Sequence, residues 1–326
     1  MGVRMRKGFV RCLKWLVAPI LLFIISGGCG NHARVFTIGV ITYGNSNTSS
    51  LEGFKAGMAE LGYNEGKDIK YLYAIITNDN DQEIDTKIKK LLTQGPDLIL
   101  AMGKLALNAK RLAEGGTPVI FSGNAYPVET GLVKSLKRPE GNITGVKSAD
   151  GVSKALEWLV TIIKDAKKIY MPYDPDDPMA TIELPRVNNA ASQLGIEVVA
   201  QKVYSVEEAT AAIEDLPGDI GGVFMILSKN LNQRNSEIIQ AAIKRGLPTG
   251  APVPLDEDIL ITLNSDFNGI GRKTARLAQQ IMQGVKPSDL PVETGDTLLT
   301  INLKTATKIG LNIPDDVLAQ ATTIIR

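Results

Sequence analysis

The sequence predicts an α/β protein of two lobes, each built on a parallel sheet. Three observations carry that expectation. Short apolar runs rich in β-branched residues alternate with amphipathic segments of helical period, the pattern of strand, crossover helix and strand. The alternation runs from Val35 to Phe121 and begins again after Val146. The 326 residues are long for one domain and comfortable for two of about 100–200 residues each.

In the first lobe, Val35 to Ile41 reads as a buried strand. The polar loop from Tyr43 ends in good helix caps at Ser49 and Ser50. Leu51, Phe54, Met58 and Leu61 then recur at helical spacing until Gly62. Ile69 to Ile76 is the next strand. Asp79 or Asp81 is expected to cap a helix whose apolar stripe is Ile84, Ile88, Leu91 and Leu92. Leu98 to Met102 is a strand, Gly103 to Glu114 a helix, and Thr117 to Phe121 a strand.

The pivot is Pro118 to Val146. A strand breaks into the turn Ser122 to Pro127, and an apolar-patterned segment spans Val128 to Leu136. Pro139 to Val146 reads as the connection out of the lobe, with Gly141 and Gly145 free to take angles other residues resist. Beyond it, helices are expected at 151–164, from the 173–178 loop to Leu194, from a capping box at Ser205 to Glu208, and at 232–245. Strands are expected at 168–172, 196–203 and 223–227, with Gly250 to Pro254 a proline-rich link. Ile259 to Leu263 reads as a strand, 266–283 as a long helix, Leu298 to Leu303 as a strand, and two short helices follow.

The first 28 residues read as a leader. Arg4, Arg6, Lys7, Arg11 and Lys14 precede an apolar run of 11 residues, Trp15 to Ile25, too short to span a bilayer at about 20 apolar residues. Ser26-Gly27-Gly28-Cys29 resembles a bacterial lipobox, in which Cys29 becomes the lipidated first residue; a plain cleaved signal and an uncleaved anchor are the alternatives. The leader carries five basic and no acidic residues, so without it the net charge is −4 rather than +1. A mildly acidic body lacks the footprint of a nucleic-acid binder. Cys12 and Cys29 are the two cysteines, and neither is left for a disulfide. His32 is the single histidine and falls in the tether, which argues against Ser-His triads and His-ligated zinc.

Other site chemistries lack their motifs. Asp174, Asp176 and Asp177 suggest calcium, but interleaved prolines and a missing glycine spoil such a loop. Gly269-Ile270-Gly271 begins a dinucleotide pattern that Thr274 ends. No phosphate loop or nucleophile elbow occurs, so neither an enzyme nor a cofactor is expected.

Gly131 to Leu136, Asn142 to Val146, Gly271-Arg272 leading to Gln283–Pro287, Leu290-Pro291-Val292, Ile301 to Ala306 and Gly310 to Pro314 together resemble one family. It is the ABC-transporter substrate-binding proteins with a type 1 periplasmic binding fold, in the branch that includes aromatic amino-acid binders. The resemblance implies two Rossmann-like lobes with parallel sheets, joined by a multi-strand hinge crossed three times. It places lobe 1 at 35–146 plus 256–295 and lobe 2 at 147–255 plus 296–326. It implies an extracytoplasmic monomer that takes a small solute, best guessed as an amino acid from the aromatic side of the branch, and hands it to a membrane permease. A sensory subunit signalling to a membrane receptor is the alternative, because fold does not separate the two.

Ligands of open α/β sheets sit beyond the carboxyl ends of the strands. That rule nominates Tyr43, Ser49, Ser50, Gly103, Lys104, Asn124 and Tyr126 in the first lobe. In the second it nominates Tyr173, Asp174 and Ser228, and from the late segment Asp266 and Phe267. Ser49 and Ser50 lie where a helix N-terminus favours a carboxylate, or they serve as ordinary caps. Lys104 suits an anionic group. The three tyrosines can sandwich a flat ligand. Asp174 and Asp266 can meet an ammonium, or cap their own turns. Lys104 and Tyr126 depart from the family pattern, which has Thr or Ser and Asp there, so ligand identity does not transfer.

Overall fold

Hydrogen bonding sorts the strands into two sheets in the computed structural model, which describes residues 34–44, 48–114, 116–163 and 166–326. The leader, Cys29 and His32 lie outside the described residues. The first lobe runs β1 (Phe36–Tyr43), α1 (Thr48–Glu60), β2 (Ile69–Ile76), α2 (Asp81–Leu92), β3 (Leu98–Met102), α3 (Leu105–Leu112), β4 (Val119–Asn124) and β5 (Ile143–Lys147). The second runs α4 (Gly151–Ile163), β6 (Lys168–Tyr173), α5 (Pro178–Leu194), β7 (Glu197–Lys202), α6 (Val206–Glu214), β8 (Ile220–Phe224), α7 (Asn235–Lys244), β9 (Thr249–Ala251) and β10 (Ile261–Ser265). The chain ends with α8 (Phe267–Met282), β11 (Glu293–Thr294), β12 (Thr297–Asn302), α9 (Leu303–Lys308), α10 (Asp315–Leu318) and β13 (Thr323–Ile325).

The first sheet has the order β11-β5-β4-β3-β1-β2 and every pairing in it is parallel. The second has the order β13-β12-β10-β9-β8-β6-β7, parallel except where β12 runs against β10. β1 shows why its sequence is a continuous apolar run. Ile38 and Val40 pack with Phe54 and Met58 on one face, while Ile41 packs with Ile84 and Leu105 on the other. No described helix is long and apolar enough to cross a membrane.

Helix ends follow local chemistry. Asp177 accepts the Met179 N–H at 2.8 Å to open α5, Pro178 fills the first helical position, and Gly195 closes the helix at φ 70°. Ser205 caps α6, as expected. The cap of α2 is Asn80, through the Gln82 and Glu83 N–H groups, rather than Asp79 or Asp81. Asp79 is drawn away because Tyr43 and Lys104 hold its carboxylate.

Several expected boundaries shift. Residues 143–147 are β5, inside the first sheet, so the first passage between lobes is 148–150 rather than 139–146. Gly141 takes φ 69°, as expected. Gly145 is glycine for another reason: a Cβ there would lie 2.2 Å from the Phe121 carbonyl oxygen. Part of the expected proline-rich link is strand β9, and β13 was not anticipated. The stretch 256–265, expected in lobe 1, ends in β10, which pairs with β9 and β12 of the second sheet. The second passage therefore falls at Asp266, and the third at 295–296 between β11 and β12.

The passages lie side by side. Gly295 N–H donates to the Lys147 carbonyl at 2.8 Å, and Asp266 N–H to the Asp296 carbonyl at 2.9 Å. Once across, α8 lies against α1 at backbone distance. A Cβ on Gly271 would stand 2.0 Å from the Ser50 carbonyl oxygen, and one on Gly53 2.1 Å from that of Asn268. Only glycine fits there. Replacing Gly271 with alanine should force the helices apart and cost about 1–3 kcal/mol, the usual penalty of overpacking. The check is urea unfolding, where the midpoint should fall with the slope unchanged; a midpoint equal to wild type would show that the helices yield freely.

Candidate functional site

The strands of the first sheet deliver β4 and its following turn to the space between the lobes. A cavity of about 210 Å³ lies there, bordered by both lobes and by the passages. From the first lobe come Gly123, Ala125 and Tyr126; from the second, Glu183 on α5 and Leu227 after β8; Ser148 comes from the first passage, and Ser265 and Phe267 flank the second. The wall is mostly apolar with a few convergent polar groups, as small-molecule sites are, though its volume is below the usual range of about 300–1,000 Å³.

Two side chains of α5 reach the first lobe beside this cavity. Tyr126 donates its hydroxyl to Glu183 Oε1 at 3.1 Å, and the Leu227 N–H donates to Oε2 at 3.2 Å. Glu183 is 1% exposed. Arg186, three residues further along α5, lies over the Tyr126 ring at 4.8 Å from its centroid. Its guanidinium bonds Asp150 of the first passage at 2.8 Å and also Glu129 of the first lobe. Burial pushes the Glu183 carboxyl up to about 7, against the hydrogen bonds from Tyr126 and Leu227 that favour its ionised form. Burial also raises the Tyr126 phenol, helped by the charge of Glu183.

A second group sits at the open ends of β1 and β3. Tyr43 donates to Asp79 Oδ1 at 2.7 Å, Lys104 pairs with the other oxygen, and the ammonium lies 5.5 Å from the Tyr43 ring centroid. The Lys104 contact, and then the Tyr43 hydroxyl, hold Asp79 below the usual carboxylate range. Lys229, on the second lobe, adds to that effect, so this rim faces the opposite lobe.

Of the nominated residues, Tyr126 and Phe267 border the cavity. Tyr43 and Lys104 meet at the rim around Asp79, and Ser49 is exposed in the first turn of α1. The rest are committed to their own surroundings. Ser50 is 1% exposed and its hydroxyl meets that of Ser122 at 2.7 Å, which in turn meets Thr274 at 3.1 Å. Gly103 takes φ 53° at the strand end, and Asn124 braces the turn after β4 by accepting the Tyr126 N–H at 3.1 Å. Tyr173 packs against the second core. Asp174 accepts from Asp176 N–H at 2.9 Å and Asn230 at 2.6 Å. Ser228 accepts from Leu231 N–H, and Asp266 caps α8 through Gly269 N–H at 2.9 Å.

Glu183 and Arg186 were missed because they lie mid-helix, with no strand end to flag them. A carboxylate one turn before an arginine in a helix that also shows a buried stripe was the available signal. A larger recess of about 870 Å³ borders α3 and the 131–142 link, but its described lining comes from the first lobe alone. It does not join the lobes.

Comparison with known proteins identifies the family and the fold. The family model described as ABC transporter substrate binding protein matches residues 36–325. A tyrosine-binding protein of Clostridioides difficile is 29% identical over 265 residues, covering 77% of this chain and 73% of that protein. Among solved structures, the ligand-free, open form of a substrate-binding protein with adhesive properties from Clostridium difficile aligns with a TM-score of 0.82 at 22% identity, covering 90% of this chain and 99% of that one. A Streptococcus pneumonia domain in complex with L-Trp gives 0.72 at 22% identity, covering 90% and 100%. These two establish the fold, the type 1 periplasmic binding arrangement.

The Glu183 carboxyl links stability to pH in a defined direction. Its folded value of about 7 lies above the ordinary 4.5. Its stabilising contribution is therefore full below the ordinary value and is lost as pH rises through about 7, at up to about 1.4 kcal/mol per unit between the two. Glu183→Gln should remove this slope. Thermal melts of both proteins from pH 4.5 to 8 should diverge, with the variant gaining relative stability as pH rises; parallel curves would contradict a buried, proton-retaining Glu183.

Proposed function

Because the chain belongs to the ABC transporter substrate-binding protein family, we propose that it captures an amino acid between its lobes and delivers it to a membrane permease. Substrate-binding proteins of ABC transporters are extracytoplasmic, and the basic head, short apolar run and Ser26-Gly27-Gly28-Cys29 ending support export with a lipid on Cys29. The observation that carries the reading is the cavity of about 210 Å³ bordered by both lobes, with Tyr126 and Glu183 meeting across it. A ligand held there touches both lobes only when they are together. Its binding shifts the population toward the closed arrangement by the differential affinity alone. The three adjacent passages, Lys147–Gly295 and Asp266–Asp296 among their bonds, are the hinge about which the lobes turn. No bond in the ligand changes.

The relative named for tyrosine and the structural neighbour holding L-Trp support an aromatic amino acid as the first candidate. Tyr126 and Phe267 supply ring surface suited to one. Transport is preferred to sensing because the family to which the chain belongs is described by its transporters.

Calorimetry of the full-length protein in detergent against the twenty amino acids should find one or a few that bind. X-ray scattering should then show a smaller radius of gyration with the bound solute than without it. Absence of binding at millimolar concentration would remove the amino-acid assignment, and unchanged dimensions on binding would remove the hinge. Cys29→Ser should abolish incorporation of labelled palmitate and shift the protein out of the membrane fraction; retained label would place the lipid elsewhere.

A further inference from the structure

We propose that Glu183 is the group in the interlobe cavity that receives a positively charged nitrogen of the ligand. The proposal rests on the solute-binding reading above and adds to it the residue that recognises the amine and the proton that leaves. Sequence reasoning had nominated Asp174 and Asp266 for that role. Both are spent on local work: Asp174 holds the Asp176 N–H and the Asn230 amide, and Asp266 caps α8. Glu183 is the one charged side chain among the described residues that border the cavity.

Its geometry suits a receptor. Tyr126 and the Leu227 N–H each engage one oxygen, which fixes the plane of the carboxylate. Each carboxylate oxygen has more than one acceptor site, so capacity remains for a donor arriving through the cavity. Among the described residues no lysine or arginine is paired with it. Arg186 lies on the same helix, but its guanidinium is taken up by Asp150 and Glu129 and by the Tyr126 ring. The remaining ionisable groups that act on Glu183 are Asp177 at the start of α5, Asp150 in the first passage and the Tyr126 phenol, none of them cationic. A buried carboxylate without a cation is costly, and an ammonium from the ligand relieves that cost.

A proton must therefore be exchanged. Burial alone holds Glu183 partly in its acid form near neutral pH. An arriving ammonium favours the ionised form, so the carboxyl proton passes to solvent and a charge-assisted hydrogen bond forms in its place. Binding becomes linked to pH: affinity rises with pH up to about 7 and levels off above it, at most about tenfold for each unit. The identity of the rest of the ligand does not enter this linkage.

Calorimetry of the full-length protein in detergent tests it, run between pH 5.5 and 8 in buffers of different ionisation heat. The probes are the tightest-binding of the twenty amino acids, tyramine as an amine without a carboxylate, and 3-(4-hydroxyphenyl)propionate as a carboxylate without an amine. The amino acid should bind with net proton release below pH 7 and weaken as pH falls. Tyramine should bind with the same release, and the deaminated acid without it. Glu183→Gln should weaken the amine-bearing probes by roughly ten- to a hundredfold, the loss of a hydrogen bond to a charged group, and leave the deaminated acid unaffected. The wild-type buffer dependence stands even if the variant fails to fold. An amino acid that binds without proton release and equally well to the variant overturns the Glu183 assignment and spares the function. Tyramine binding with release, while no amino acid binds, keeps Glu183 and discards the amino-acid reading. Binding by none of the probes overturns both.

Discussion

The chain leaves the second sheet after β10 and must return to the first lobe, and the contact between α8 and α1 is what brings it back. Glycine at 53 and 271 lets the two helix backbones approach until carbonyl oxygens occupy the space of side chains. The Ser50, Ser122 and Thr274 hydroxyls extend the contact into β4, each buried polar group finding another. β11 then joins the edge of the first sheet before β12 crosses away again. Three passages result, rather than one, and side by side they constrain the lobes more than one linker would. A single flexible linker would leave the lobes free to tumble apart.

That restriction gives the cavity its chemistry. A turn from one sheet and a helix from the other meet beside the passages, and Tyr126 and Glu183 are matched across the gap. Water is largely excluded where they meet, which is why a carboxyl there is driven toward neutrality while exposed Asp79 is held ionised by Lys104. The two ends of the interlobe space therefore differ in kind. The rim carries screened, mutually satisfied charges, and the depth carries one acid with no paired cation among the described residues.

Much of the architecture is legible in the sequence. The apolar run at β1, the stripe Ile84–Ile88–Leu91 and the Ser205 cap each depend on neighbours a few residues away, and each formed where expected. Residues whose fate depends on distant partners were harder. Ser50 carries the pattern of a helix start, but Ser122 lies 72 positions away and claims its hydroxyl. Asp174 looks like a free carboxylate after a strand, yet Asn230 reaches it from another loop. β10 has the composition of any buried strand, and nothing in its own residues states which sheet will accept it.

Local periodicity, turn chemistry and the signature of its family thus determined the kind of protein this is: two α/β lobes with a passage between halves. Which side chains face one another across the gap was decided only in three dimensions. Side-chain period and capping act over one or two turns, so they are written in consecutive residues. The pairing of Tyr126 with Glu183 depends on where two separately folded surfaces come to rest, and on the water their meeting excludes.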